Sequence, residues 1–277
     1  MTLPWKFGPP RTAIISGGGS GLGREFARRL AQQGANVAII NRKPASDVIA
    51  ELQALATQAN QRFEYYCADV ADENAIRHAV EQAVGDIGPL DLAINSAGIQ
   101  IAAEFEDSTA ADFNRVVNVN LGGSRNFAAE VVPHLAPNGH LVLMSSLAGL
   151  TANFAYSAYC ASKHGVVGLA SVLRIEFRLK GLDVSVCCPG MIETPMVADE
   201  RATIHPITET LRASAGEMDL IKGCDEMLRQ IARRRFEIIP GFRPRAAAFM
   251  VRHFPNLMRR MADDMAAKTA RKIRLPN

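Results

Sequence analysis

The stretch "TAIISGGGSGLGREFARRLAQQG", residues 12–34, constrains the fold more than any other part of the chain. "TAIISG" (12–17) is apolar on both faces, and glycines then lead without a linker into a helical pattern that ends at Gly34. A strand apolar on both sides must be covered by helices on both sides. A strand that passes through glycines into a helix opens a right-handed crossover to a parallel neighbour. The alternation continues. "NVAIIN" (36–41), "FEYYCADV" (63–70), "LDLAINSAG" (90–98), "HLVLMSS" (140–146), "VSVCCPG" (184–190) and "FEIIP" (236–240) read as strands, and "ASDVIAELQALATQAN" and "ENAIRHAVEQAVGDIG" read as helices between them. The pattern predicts an α/β fold: a doubly wound parallel sheet of about seven strands with helices on both faces. Without repeats or linkers, residues 1–277 read as one domain, with a core over about 10–240 and a basic helical tail over 241–277.

Glycines at a strand-to-helix turn let backbone N–H groups approach a phosphate, and the exposed N–H groups of the helix add positive potential. The spacing here is Gly17-x-x-x-Gly21-x-Gly23; the common G-x-G-x-x-G fails at Leu22 in one frame and at Arg24 in the next. Farther on, "YCASK" (159–163) sets Tyr159 and Lys163 four residues apart, one helical turn. A cation beside a phenol favours the phenolate and lowers the pKa from near 10, which suits a proton donor. Tyr156 has Cys160 at the same offset and gains no charge from it. In "LVLMSS" adjacent side chains alternate, so only one of Ser145 and Ser146 points into a pocket. The second strand ends "INRKP", with no acid but with Asn41, Arg42 and Lys43. A guanidinium backed by an ammonium suits a ribose 2′-phosphate, so NADP(H) is favoured over NAD(H).

In order, "SGGGSGLG", "NSAG" (95–98), "YCASK" and "PGMIET" (189–194) resemble the four motifs of the short-chain dehydrogenase/reductase family. The likeness spans about residues 10–240; Ser16 and Ser96 stand where the family pattern has threonine and asparagine. It implies a Rossmann-type sheet and an NADP-preferring oxidoreductase that interconverts a ketone or aldehyde and an alcohol. It carries the cofactor to Gly17, Gly19, Ser20, Gly21, Leu22 and Gly23, and the adenine to Asp69 and Val70, Asp69 equally fitting a helix N-cap. Asn95, Ala97 and Gly98 would frame the nicotinamide ribose, together with Tyr159 and Lys163. Pro189 and Gly190 would turn the chain so that Ile192 and Thr194 meet the carboxamide. The catalytic set it implies is Ser146, thirteen residues before Tyr159, with Tyr159, Lys163 and Asn120, the last holding a water that relays protons from Lys163. A packing role for Asn120 is the alternative.

Other features narrow the function. A net charge of +3 argues against nucleic acid as a partner. Residues 243–274 hold nine basic and two acidic residues, which makes that segment +7 and the remainder −4. Cys67, Cys160, Cys187, Cys188 and Cys224 lack metal spacing and read as buried thiols of a reducing compartment; no metal is expected. With no signal-like start and no long apolar run, a cytoplasmic protein is expected. His205 stands alone and reads as a surface or packing residue. Leu147, Phe154, Met191, Met196 and Val197 suggest an apolar wall for a lipophilic substrate. The family resemblance also implies a homo-oligomer. In the tail, Phe254, Leu257, Met258, Met261 and Met265 recur at helical spacing beyond Pro255. That stripe suits docking on the domain or on a second subunit, or lying on an anionic membrane surface. A non-catalytic NADP(H) sensor predicts a degraded Ser–Tyr–Lys set, and a nucleotide-sugar epimerase prefers a glycine pattern that Arg24 breaks.

Overall fold

The apolar runs do form parallel strands with helical crossovers. A computed structural model describes residues 3–201, 204–213 and 216–274. In chain order its first half runs β1 (Thr12–Ser16), α1 (Gly21–Ala31), β2 (Asn36–Asn41), α2 (Ser46–Ala54), β3 (Phe63–Cys67), α3 (Glu73–Ile87), β4 (Leu90–Asn95), α4 (Ala110–Val117), α5 (Gly123–Val131) and β5 (Leu135–Met144). The second half runs α6 (Ser157–Arg178), β6 (Asp183–Cys187), β7 (Met191–Ile192), α7 (Pro195–Arg201), α8 (Pro206–Ala213), β8 (Glu217–Met218), α9 (Leu220–Ala232), β9 (Glu237–Ile238), α10 (Phe242–His253) and α11 (Pro255–Arg274). One seven-stranded parallel sheet has the order β3-β2-β1-β4-β5-β6-β9. The order reverses beside β1, so β1 and β4 diverge at their carboxyl ends into a crevice, the usual ligand position in such sheets.

Alternation along each strand feeds two cores. Ala13 and Ile15 of β1 join Phe26, Leu30 and Ile231 on one face; Ile14 joins Ile76, Phe127 and Val166 on the other. Strands end earlier than the hydrophobic pattern suggested: β3 stops at Cys67, β4 at Asn95 and β6 at Cys187. The residues beyond leave the ladder to build loops at the carboxyl edge. β5 starts earlier than expected, because Leu135 pairs with Leu90 before an irregularity restores register at His140. Asp72, not Asp69, caps α3, accepting from Ala75 N at 3.0 Å.

The thiols depart from expectation. Cys187, Cys188 and Cys224 are buried, but Cys67 is exposed and Cys160 only partly covered. Cys67 is the last residue of the edge strand, where no further strand covers it. Among the described residues no helix is long and apolar enough to cross a membrane.

The tail folds back on the body. α11 begins at Pro255, as a proline at a first helical position favours. It packs along α8, where Thr269 Oγ1 meets Thr210 Oγ1 at 3.3 Å. Met258, Met261 and Met265 line the crevice, while Arg260, Lys268 and Arg271 face outward.

Candidate active site

At the carboxyl edge the glycine turn is shaped by contact. Gly17 has φ +69°, and a Cβ there would lie 2.7 Å from Ala97 N. Gly23 lies in the first turn of α1 against Gly17 O, so a side chain would push the helix off the strand. Gly19 packs on the Asn41 amide, and Gly21 packs on Thr194. The turn thus runs close to the second strand on one side and to the segment after β6 on the other. Together with the N-terminus of α1 behind Ser20 and Leu22, it is a backbone cradle suited to a pyrophosphate.

Around Lys43 O the loop after β2 is tied by Asn41 Nδ2 at 2.9 Å and Tyr65 Oη at 2.9 Å. Arg42 and Lys43 line the crevice, and the half-exposed Arg42 guanidinium stands 3.6 Å from Asp69. An exposed pair at that separation is weak and open to exchange for a better anion. Val70 and Asp69 line the same wall, with Asp69 Oδ1 accepting from Ala71 N at 2.9 Å.

Asn95 sits behind the crevice and does not line it. Buried, it bonds Ser16 Oγ through Oδ1 and donates from Nδ2 to Ser124 Oγ at 2.8 Å. Ser124 Oγ donates to Asn120 O at 2.6 Å. Asn120 lies in a π-helical turn over Asn118–Gly122 between α4 and α5. Its side chain clamps the loop after β4, accepting from Ile99 N (2.8 Å) and donating to Ile99 O (2.9 Å) and Ser162 Oγ (3.0 Å). Both N–H groups of the amide are therefore engaged with protein, while Oδ1, which accepts from Ile99 N alone among these bonds, keeps a second acceptor position. Ala97 and Gly98 line the crevice in front, with Gly98 close to Asn120 and Lys163.

Tyr159 and Lys163 share one face of α6 and both line the crevice. Lys163 is buried; its Nζ donates to Met144 O at 2.9 Å and lies 5.6 Å from the centroid of the Tyr159 ring. Burial lowers it from 10.5 to about 8. The expected electrostatics are corrected at Tyr159: burial pushes the phenol up, opposed by a hydrogen bond from Ser146 and by the charge of Arg212. Lys163 turns its ammonium to a backbone carbonyl, and the cation acting on the phenol comes from α8. Ser146 accepts from Ala148 N at 3.1 Å beside that phenol, whereas Ser145 points back to Lys163 O at 2.9 Å.

Beyond β6, Pro189, Gly190, Ile192 and Thr194 line the crevice, with β7 pairing to β8. Leu147, Met191, Met196 and Val197 line it too. Phe154 does not: its ring packs tilted against His205 with centroids 4.7 Å apart, and its carbonyl accepts from Thr208 Oγ1 at 2.8 Å. His205 has the packing role expected, with Glu104 3.5 Å away. The crevice holds about 1730 Å³. A single small-molecule pocket spans roughly 300–1,000 Å³, so this one has room for a dinucleotide and a second ligand. Sequence reasoning did not single out Gln100 or Arg212, read Tyr156 as idle, and did not place the methionine face of α11 in the crevice. The helical periodicity of the tail was the one available signal; none marked Arg212.

A sheet edge of this kind receives a dinucleotide, and a phenol beside it can move a proton while a hydride moves, which defines the class of nicotinamide-dependent oxidoreductases. The short chain dehydrogenase model matches residues 11–205, and the chain belongs to that family. It is 36% identical over 206 residues to a cyclohexanol dehydrogenase of Acinetobacter sp. (strain SE19), covering 71% of this chain and 80% of that one. A short chain dehydrogenase from Mycobacterium paratuberculosis bound to NAD superposes with a TM-score of 0.74 at 25% identity, over 83% of this chain and 95% of the other. One from Burkholderia cenocepacia J2315 in complex with NADP gives 0.73 at 27%, over 82% and 94%.

Proposed function

We propose that the chain is an NADP(H)-dependent oxidoreductase interconverting a lipophilic ketone or aldehyde and its alcohol. The carrying observation is convergence: Ser146, Tyr159 and Lys163 open onto the same crevice as the glycine turn. When bound, the cofactor supplies or accepts the hydride. Tyr159 holds the matching proton; burial keeps the phenol protonated, and Ser146 fixes its oxygen and meets the substrate oxygen. Lys163, titrating near 8, exchanges protons near neutrality and resupplies the phenol. Asn120 positions the loop over Gly98 and Ile99 against α6. Arg42 and Lys43 receive the 2′-phosphate, and β2 ends in Asn41 where an acid would repel it. The methionines of α11 and Met191 offer the substrate an adaptable apolar wall.

Fluorescence quenching by NADPH and NADH, followed by NADPH consumption across a panel of ketones, tests this reading. The expected result is tighter binding of NADPH and turnover of apolar ketones. Cofactor binding without turnover of any carbonyl compound would leave a sensor and remove the enzyme.

A further inference from the structure

The apolar wall of the crevice does not stop at its mouth. Phe242 and Met261 line the crevice and are still 78% and 46% exposed. From there apolar side chains continue over the outside of α10 and α11. Residues seven and eleven positions apart share one helix face, which aligns Phe242, Phe249 and His253 along α10. Phe249 is 54% exposed, and its ring stacks on that of His253 with centroids 4.1 Å apart. Phe254, at the bend between the helices, and Leu257, in the first turn of α11, are exposed as well. Phe249, Phe254 and Leu257 lie outside the crevice lining, so they are not part of a substrate wall. Large apolar side chains gathered in water mark a contact surface.

The charge around these residues says what covers them. Arg245 and Arg252 are paired with Glu226 and Glu237, which ties α10 to the body. Arg260, Lys268, Arg271 and Lys272 are exposed and pair with no acid among the described residues. Helical spacing sets Lys268 and Lys272 on the flank of α11 that carries Leu257 and Met261, with Arg260 and Arg271 beside it. Asp263 and Asp264 are the two acids on these helices, so the surface stays cationic. Exposed phenylalanine and leucine among cations suit an anionic lipid interface, where apolar tips enter the acyl boundary and cations meet phosphate headgroups. A second copy suits the face less: an isologous contact sets each patch against its own equivalent and brings cation to cation. Among the described residues no helix is long and apolar enough to cross a membrane, which leaves contact at its surface.

We propose that the outer face of α10 and α11 docks the chain on an anionic phospholipid surface, with the mouth of the crevice turned to the lipid. An apolar substrate then enters past Phe242 and Met261 without crossing bulk water. The docking stands apart from the oxidoreductase reading, and the route of entry rests on it.

Flotation of the full chain with vesicles tests the docking, using phosphatidylcholine alone and phosphatidylcholine with about one third phosphatidylglycerol. Binding to the anionic vesicles should exceed binding to the neutral ones by at least about 10-fold at low salt and fall as salt rises. The pair Phe249→Ser and Leu257→Ser should weaken vesicle binding by at least about 10-fold. Lys268→Gln with Lys272→Gln should weaken it by roughly fivefold per residue, with the thermal melt unchanged. No binding to anionic vesicles, equal binding to both kinds, or binding that neither variant weakens overturns the proposal. Self-association that the serine variant abolishes, without vesicle binding, assigns the face to a second copy and overturns it as well. Entry is read separately, as NADPH consumption with a long-chain ketone dissolved in the vesicles. The wild type should turn over faster with anionic than with neutral vesicles, and the lysine variant should lose most of that difference. Equal rates in a chain that docks would remove the route of entry. If no ketone is reduced, the oxidoreductase reading fails by itself, and flotation alone decides the docking.

Discussion

The cofactor end and the substrate end of this crevice are built from different materials. Toward β1 and β2 the contacts are made by backbone: a glycine turn, a helix N-terminus and a short loop knotted around Lys43 O. Toward α8 and α11 they are made by side chains, chiefly methionines with Arg212 and Arg259. Backbone contact leaves few residue choices, since a Cβ at Gly17 meets Ala97 N at 2.7 Å. A methionine wall tolerates almost any apolar replacement of similar volume. One end is therefore written in a spacing that can be recognised, and the other is written only in three dimensions.

The contrast can be broken most directly at the seam. Tyr159→Phe should lower kcat by roughly 10²–10⁴-fold, the usual share of a positioned acid, with NADPH quenching nearly unchanged. Normal ketone reduction by that variant would remove the acid assignment. At the cofactor end, Arg42→Ala should weaken NADPH by roughly 10- to 100-fold and leave NADH almost untouched, because one charged contact is lost. Equal losses for both nucleotides would mean that Arg42 only shapes the loop.

Lys163 gives a stability readout. Folded Lys163 titrates near 8 and an unfolded lysine near 10.5. Below pH 8 both are protonated and the burial cost is fully present; between about 8 and 10.5 the unfolded chain binds the extra proton and stability rises with pH. Lys163→Met should therefore lose turnover yet gain on the order of 1–3 kcal/mol at pH 7 in urea unfolding, an advantage that fades by pH 10.5. A variant less stable than wild type at pH 7 would contradict this account. The smallest effect is expected at the far wall: Met258→Ala should leave NADPH binding intact and raise KM for long-chain ketones more than for short ones by about 1 kcal/mol per lost contact. Equal changes across chain lengths would separate the tail from substrate binding.

The same contrast explains what the sequence made legible. The sheet followed from runs such as "AIIS" and "LAIN", because burial on both faces leaves a continuous apolar pattern. Gly17 and Gly23 were legible because their neighbours exclude side chains. Strand ends were not, since "CADV" stays apolar after β3 has ended at Cys67. Phe154 looked like wall and proved to be a support for His205. Tyr156 looked idle because its partners, Gln100 and Arg212, are both 56 residues away. Spacing along a helix reveals neighbours one turn apart; it reveals nothing about an arginine brought in by another helix.

The hydrogen-bonded line from Ser16 through Asn95, Ser124, Asn120 and Ser162 to Tyr159 O joins β1 to α6 across the interior. Its members constrain one another's replacement. Replacing Asn95 would strip a partner from both Ser16 and Ser124, so the cost of replacing it should depend on the residues at those two positions. Ser16 and Ser162, which never touch, would then be expected to show non-additive effects in a double-mutant cycle.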